Sequence, residues 1–146
     1  MICITNSDLY PNPNWNFVFG WALYQARVGV FSFCRYKQPF ISPEEDLPGK
    51  LIFRAVKIMT HEIGHMFFFE HCTFYECLMN GYNHFEEFEK KPAYLCPVCL
   101  RKLQLTIGFN CIEREKALHE ICKKNGIHFK ELETYYEKRL KYFNSN

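Results

Sequence analysis

Residues 61–72 demand a helix that stops and doubles back. His61-Glu62-Ile63-Gly64-His65 is an H-E-x-x-H motif, with His71 and Cys72 close behind it. On a helix, His61 and His65 lie on one face, one turn apart. Two imidazoles so placed can grip one Zn²⁺, and Glu62 beside them can take a proton from a water activated there. His71 is too far along to share that face on a continuing helix, so the chain has to turn back after His65 to offer it. Three histidines leave a fourth position open, as a catalytic zinc needs. That set points to a zinc peptidase. The competing reading is a chance motif whose histidines are buried and bonded to backbone.

Eight cysteines sharpen the picture. Met1 to Ser7 shows neither a basic n-region nor a sustained apolar h-region, so no signal peptide is read. An intracellular, cytoplasmic and reducing location is expected, in which cysteines are metal ligands or free thiols rather than disulfides. Cys72-x4-Cys77 and Cys96-Pro97-Val98-Cys99 form a two-plus-two thiolate set. Four thiolates close the coordination sphere, so this zinc is structural, and its binding energy becomes folding energy for a segment with little core of its own. Free buried thiols are the alternative. Cys3, Cys34, Cys111 and Cys122 are scattered and read as small buried hydrophobes.

With 146 residues the chain makes one domain, and a 48% hydrophobic share supplies a core. A net charge of +2 is too mild to argue for nucleic acid or an anionic membrane. No apolar run is long enough to span a bilayer. The basic pairs Lys90-Lys91, Arg101-Lys102 and Lys123-Lys124, and the acidic run Glu86-Glu87-x-Glu89, read as a solvated face.

Strands are expected near Cys3-Ile4, over 17–22 and over 28–33, from β-branched and aromatic runs. Gln38 to Lys50, with prolines and the acidic trio Glu44, Glu45 and Asp46, reads as a loop. A helix is expected over 51–67, where Leu51, Ile52, Ala55, Val56, Met59, Ile63, Met66 and Phe67 recur at three and four. Residues 72–108 read as irregular, with helices over 112–124 and 129–143 beyond. Phe67, Phe68, Phe69, Phe74 and Tyr75 read as core, with a cleft wall as the alternative. His84 reads as a surface or bonded core histidine, with a supporting place behind the metal ligands as the alternative. His119 and His128 read as helix-surface residues.

The two metal sets, fused at His71-Cys72, resemble the archaemetzincins, a branch of the metzincin zinc peptidases. The shared pattern is His61-Glu62-x-x-His65, His71-Cys72, Cys77-Leu78-Met79 and Cys96-x2-Cys99. Asp8-Leu9-Tyr10-Pro11, Trp15 to Gly20, Gly29 to Phe33, Asn83-His84 and Gly108-Phe109 extend the likeness to the archaemetzincin-2 type. The resemblance implies an α/β (α+β) zincin domain with a mixed sheet, an active-site helix, a segment stabilised by a four-cysteine zinc, and C-terminal helices. It implies two zinc ions per chain. His61, His65 and His71 would hold the catalytic one, and Cys72, Cys77, Cys96 and Cys99 the structural one. Glu62 would be the general base and Met79 the Met-turn floor beneath the metal, though Met79 read alone is equally core filler. The strand over Val28 to Phe33 would be the edge strand that pairs with an extended peptide or protein substrate, or else an ordinary buried strand.

The chain departs from the pattern twice. The family glycine between the second and third histidines is Phe68, at a turn that commonly needs φ > 0. The family also places a strand and a helix ahead of the region matched by Met1 to Tyr10, so those N-terminal elements are expected to be missing, and the segment from Tyr36 to Lys50 reads as short. Two further readings therefore stand beside the peptidase: a catalytically impaired relative that keeps only the four-cysteine zinc, and a zinc-finger binding module on Cys72 to Cys99.

Overall fold

The computed structural model describes residues 1–36, 40–45 and 49–145. Residues 38–39 and 46–48 of the expected 38–50 loop, Asp46 among them, therefore lie outside the described residues, and so does that part of the 36–50 segment that reads as short. Three strands, β1 (Ile2–Thr5), β2 (Gly20–Leu23) and β3 (Val28–Ser32), form one mixed sheet in the order β1-β3-β2. β1 runs parallel to β3, and β2 runs antiparallel to it. Of the two readings of the 28–33 run, edge strand or ordinary buried strand, the described sheet supports the second. A short turn folds β2 onto one side of β3 and β1 takes the other side, so β1 and β2 are the two edges of the sheet among the described residues. β2 is also shorter than the 17–22 run. Phe17 leaves the strand to pack 3.6 Å beneath the Arg35 guanidinium, and Phe19 leaves it to stack on Tyr36.

Helix α1 (Lys50–Met66) carries the motif, but its faces are the reverse of the usual amphipathic pattern. Arg54, Lys57, Ile58, His61, Glu62 and His65 are buried. Ile52 and Val56, from the apolar stripe, are 60% and 42% exposed. The polar face is inside because α2 (Phe85–Lys90) supplies its partners. Arg54 donates from Nε and Nη2 to the two Glu89 carboxylate oxygens at 3.0 and 3.1 Å, and Lys57 Nζ donates to the Glu89 carbonyl at 3.0 Å. Glu89 thus leaves the solvated acidic run to which its sequence assigned it. Burial pushes its carboxyl up, but Arg54 and Lys50 outweigh burial and hold it below its ordinary value. The pair's contribution is therefore present above the unfolded carboxylate pKa and lost as pH falls below it. Arg54→Met is expected to destabilise the fold by about 2–3 kcal/mol, less than a fully buried pair because Glu89 keeps some solvent. Urea unfolding at neutral pH reads this, and the difference should shrink towards pH 3.

The 72–108 segment is less irregular than expected: it holds α2 and also α3 (Pro97–Ile107). Two further helices, α4 (Cys111–Lys124) and α5 (Lys130–Asn144), form a hairpin close to the boundaries expected. Asn110 starts α4 by accepting from the amides of Ile112 and Glu113. Cys122, Phe129, Leu132 and Tyr136 pack that hairpin against Phe53 of α1. Of the four scattered cysteines only Cys122 is buried. Cys3 is exposed on β1, and Cys34 and Cys111 are half-buried.

The end of α1 answers the question Phe68 raised. The Phe68 amide donates to His65 O and the Phe69 amide to Gly64 O, with Phe68 at φ 64. That is a Schellman stop with an aromatic residue where glycine belongs. Its ring is 60% exposed, so it gains little packing. Phe74 and Tyr75 are exposed too, Phe69 is buried, and Phe67 is half-buried against the same core cluster. The left-handed conformation costs a non-glycine residue about 1–2 kcal/mol, and the extra freedom of an unfolded glycine offsets roughly half. Phe68→Gly is expected to stabilise the protein by about 0.5–1 kcal/mol in urea unfolding. A loss of stability would mean that the exposed ring does more than the backbone suggests.

Candidate functional site

The turn at Phe68 brings His71 back over α1. Imidazole centroids of His61, His65 and His71 lie 4.8 to 5.3 Å apart, and one ring nitrogen from each falls within 4.8 Å of the others. Two of the rings have a fixed tautomer. His61 Nδ1 lies 2.8 Å from Leu78 O and His65 Nδ1 lies 2.6 Å from Phe69 O. A carbonyl can only accept, so each Nδ1 carries the hydrogen and each Nε2 presents a lone pair. Burial, then the Lys91 charge, drives the His61 pKa down to about 2, and burial lowers His65 and His71. All three are thus neutral imidazoles, the form that binds metal. The donor set and its spacing fit one zinc ion.

Glu62 is buried next to this triad, and burial, opposed by Lys91, raises its carboxyl to about 7. A Cβ at Gly20 would sit 2.8 Å from Glu62 Cγ, so β2 can approach the carboxylate only because that residue is glycine. Met79 is fully buried under the triad's helix, and a Cβ at Gly64 would lie 2.4 Å from its sulfur. A helix-interior glycine costs about 1 kcal/mol relative to alanine, and this close contact is what it permits.

The four cysteine sulfurs also converge within 4.8 Å of one another, with Cys72 and Cys96 Sγ 4.0 Å apart. Backbone amides aim at them: Met79 and Cys96 N–H donate to Cys77 Sγ at 3.4 and 3.3 Å, and Cys99 N–H donates to Cys96 Sγ at 3.4 Å. Cys96 is the N-cap of α3, with Pro97 in the first turn, so the helix's positive end supports the thiolate. Without metal, burial pushes Cys77 and Cys99 up, which describes a site that loses protons as it binds zinc. This donor set fits a closed tetrahedral zinc. Asn80 folds the intervening loop: its Oδ1 accepts from the Cys77 amide at 2.7 Å, and its Nδ2 donates to Cys72 O and Tyr75 O.

A cleft of about 1040 Å³ opens in front of the histidines and Glu62, walled by β2, by the run from Trp15 to Phe19, and by Tyr82 and Asn83. No ring from the 67–75 cluster lines it. His84 is exposed at the start of α2 and does not line the cleft. Lys91 was the residue least visible in the sequence. It is buried, not solvated. Its Nζ donates to Asn80 O at 3.3 Å, sits 3.1 Å from His61 Nδ1 and lies over the Tyr82 ring, and burial pushes its pKa down to about 7. A proline directly after a lysine pair was the one available signal that the chain turns inward there.

Residues 1–105 match the profile of peptidase family M54. Archaemetzincin-2 of Rattus norvegicus is 39% identical over 155 aligned residues, which cover 86% of this chain and 43% of that protein. Archaemetzincin-2 of Homo sapiens is 41% identical, over 81% of this chain and 39% of that protein. The chain thus spans less than half the length of these relatives. Among solved structures, archaemetzincin from Methanopyrus kandleri is 34% identical with a TM-score of 0.60, over 74% of this chain and 56% of that chain. A zinc-dependent peptidase from Methanocorpusculum labreanum (strain Z) is 34% identical with a TM-score of 0.61, over 70% and 52%.

Proposed function

The chain belongs to peptidase family M54, the archaemetzincins, and on that footing we propose that it hydrolyses peptide bonds as a zinc-dependent peptidase. One observation carries the reading: three neutral imidazoles converge beside a buried carboxylate, in a cleft walled by an edge strand. His61, His65 and His71 would hold the catalytic zinc. Cys72, Cys77, Cys96 and Cys99 would hold a second, structural one. A zinc held by the histidine set would supply Lewis-acid polarisation and lower the pKa of a water towards neutrality.

The chain's own residues do the rest. Leu78 O and Phe69 O hold the His61 and His65 rings in one tautomer. The free edge of β2 pairs with the backbone of an extended peptide and lays it across the triad. Glu62 takes a proton from the attacking water as its oxygen bonds to the carbonyl carbon. The same carboxyl then gives that proton to the leaving amine as the C–N bond breaks. Met79 packs the floor on which His61 and His65 stand.

Zinc content and mass-spectrometric cleavage of a peptide pool test this together. Two zincs per chain and cleavage are expected, with His65→Ala losing one zinc and all cleavage. A chain that binds two zincs and cleaves nothing overturns the proposal.

A further inference from the structure

β2 offers the cleft more than backbone. Its side chains alternate: Gly20 faces Glu62, Ala22 shares that face, and Trp21 and Leu23 face the other way. Trp21 is 40% exposed and Trp15 is 46% exposed, yet their rings pack edge to face at 5.4 Å. Both line the cleft, as does Tyr24, whose ring centroid is 5.7 Å from that of His65. Among the described residues lining the cleft there is no lysine, arginine or aspartate, and Glu62 is the sole acid. Two indoles held together beside a strand edge that is unpaired among the described residues make an apolar surface that water covers poorly.

A peptide paired on β2 also alternates its side chains, so the residue opposite Trp21 projects to the Trp21 side and meets both indoles. We infer that the cleft selects extended peptides carrying an aromatic side chain at the residue opposite Trp21, and that Trp15 and Trp21 determine this specificity. An aromatic ring there extends the edge-to-face pair and leaves water. An aspartate loses hydration and finds no cationic partner. A small side chain leaves the indoles wet. This inference rests on the peptidase reading for the direction in which the peptide lies.

The test is calorimetric binding of alanine hexapeptides to the zinc-loaded chain. Each peptide contains one reduced, uncleavable amide bond and either Phe, Lys, Asp or no substitution at each internal position in turn. At one position the Phe peptide is expected to bind about tenfold tighter than its Ala, Lys and Asp counterparts. Trp21→Ala should bring the Phe peptide to within about threefold of the all-Ala peptide measured on the same variant. Equal affinities at every position, a preference for Lys through cation–π contact, no binding at all, or a Phe preference that survives both Trp21→Ala and Trp15→Ala would each overturn it. Ordinary peptides run in parallel separate the two readings. Aromatic binding without cleavage sinks the peptidase and leaves this inference standing, whereas cleavage with no aromatic preference sinks this inference alone.

Discussion

Glu62→Gln is expected to slow peptide hydrolysis by about 10²–10⁴-fold while zinc content stays at the wild-type value. The amide is nearly isosteric with the carboxylate and occupies the same place against Gly20, so the cleft keeps its shape. What disappears is the proton acceptor. Burial already raises the Glu62 carboxyl to about 7 in the metal-free chain, which marks a group poised to exchange a proton near neutrality. Zinc binding depends on the histidine nitrogens, whose tautomers are set by Leu78 O and Phe69 O and not by Glu62. Elemental analysis beside cleavage rates checks both halves. Activity retained in Glu62→Gln would remove Glu62 from the reaction, and zinc lost together with activity would make it a ligand or a support rather than a base.

Cys77→Ser is expected to have the largest effect on stability. Cys77 is fully buried and its sulfur receives two backbone amides. The residues around it form the cluster of Phe69, Leu78, Met79, Leu95 and Leu100, so the thiolates sit inside a core rather than beside one. Structural zinc in small domains contributes on the order of 10 kcal/mol, comparable to the whole stability of a domain this size. A hydroxyl at residue 77 is a poor zinc ligand and is too small to fill the sulfur's place. The expected outcome is one zinc fewer per chain, loss of a cooperative thermal transition, and little soluble protein. Calorimetry and zinc content on the same preparation decide it. A cooperative transition retained with one zinc lost would show that the apolar cluster is sufficient by itself.

Much of this was legible in the sequence, because ligand spacing is a local code. H-E-x-x-H fixes a helix and His71 fixes a turn after it, whereas the helix that starts at Pro97 lies inside a segment that reads as irregular. The strand order was not legible: Val28 to Phe33 has the composition of any strand, and its central place follows from β1 pairing with it across a long stretch of chain. The faces of α1 were misleading for a related reason. Apolar periodicity assumes that a core is apolar, whereas the surface that receives α1 is Glu89, Tyr36 and the floor of the cleft. Lys91 and Glu89 looked like solvated charges because a sequence displays a charge without its partner. Phe68 was the reverse case, a local conflict visible in the sequence and still present in the structure as a positive φ.

The segment from His71 to Met79 has a consequence for how metal affinity should be understood. His71 and Cys72 are neighbours, and so are Cys77 and Leu78, whose carbonyl orients His61. The two donor sets thus share both ends of one short loop closed by Asn80. Ordering that loop costs conformational entropy once, and whichever ion arrives first bears it. On the proposed two-zinc reading, thermodynamic reciprocity would make the second ion bind more tightly, by the same factor in either order. The zinc affinity of the histidine triad would in that sense be a property of the pair of sites, set partly by sulfur atoms that never touch a substrate.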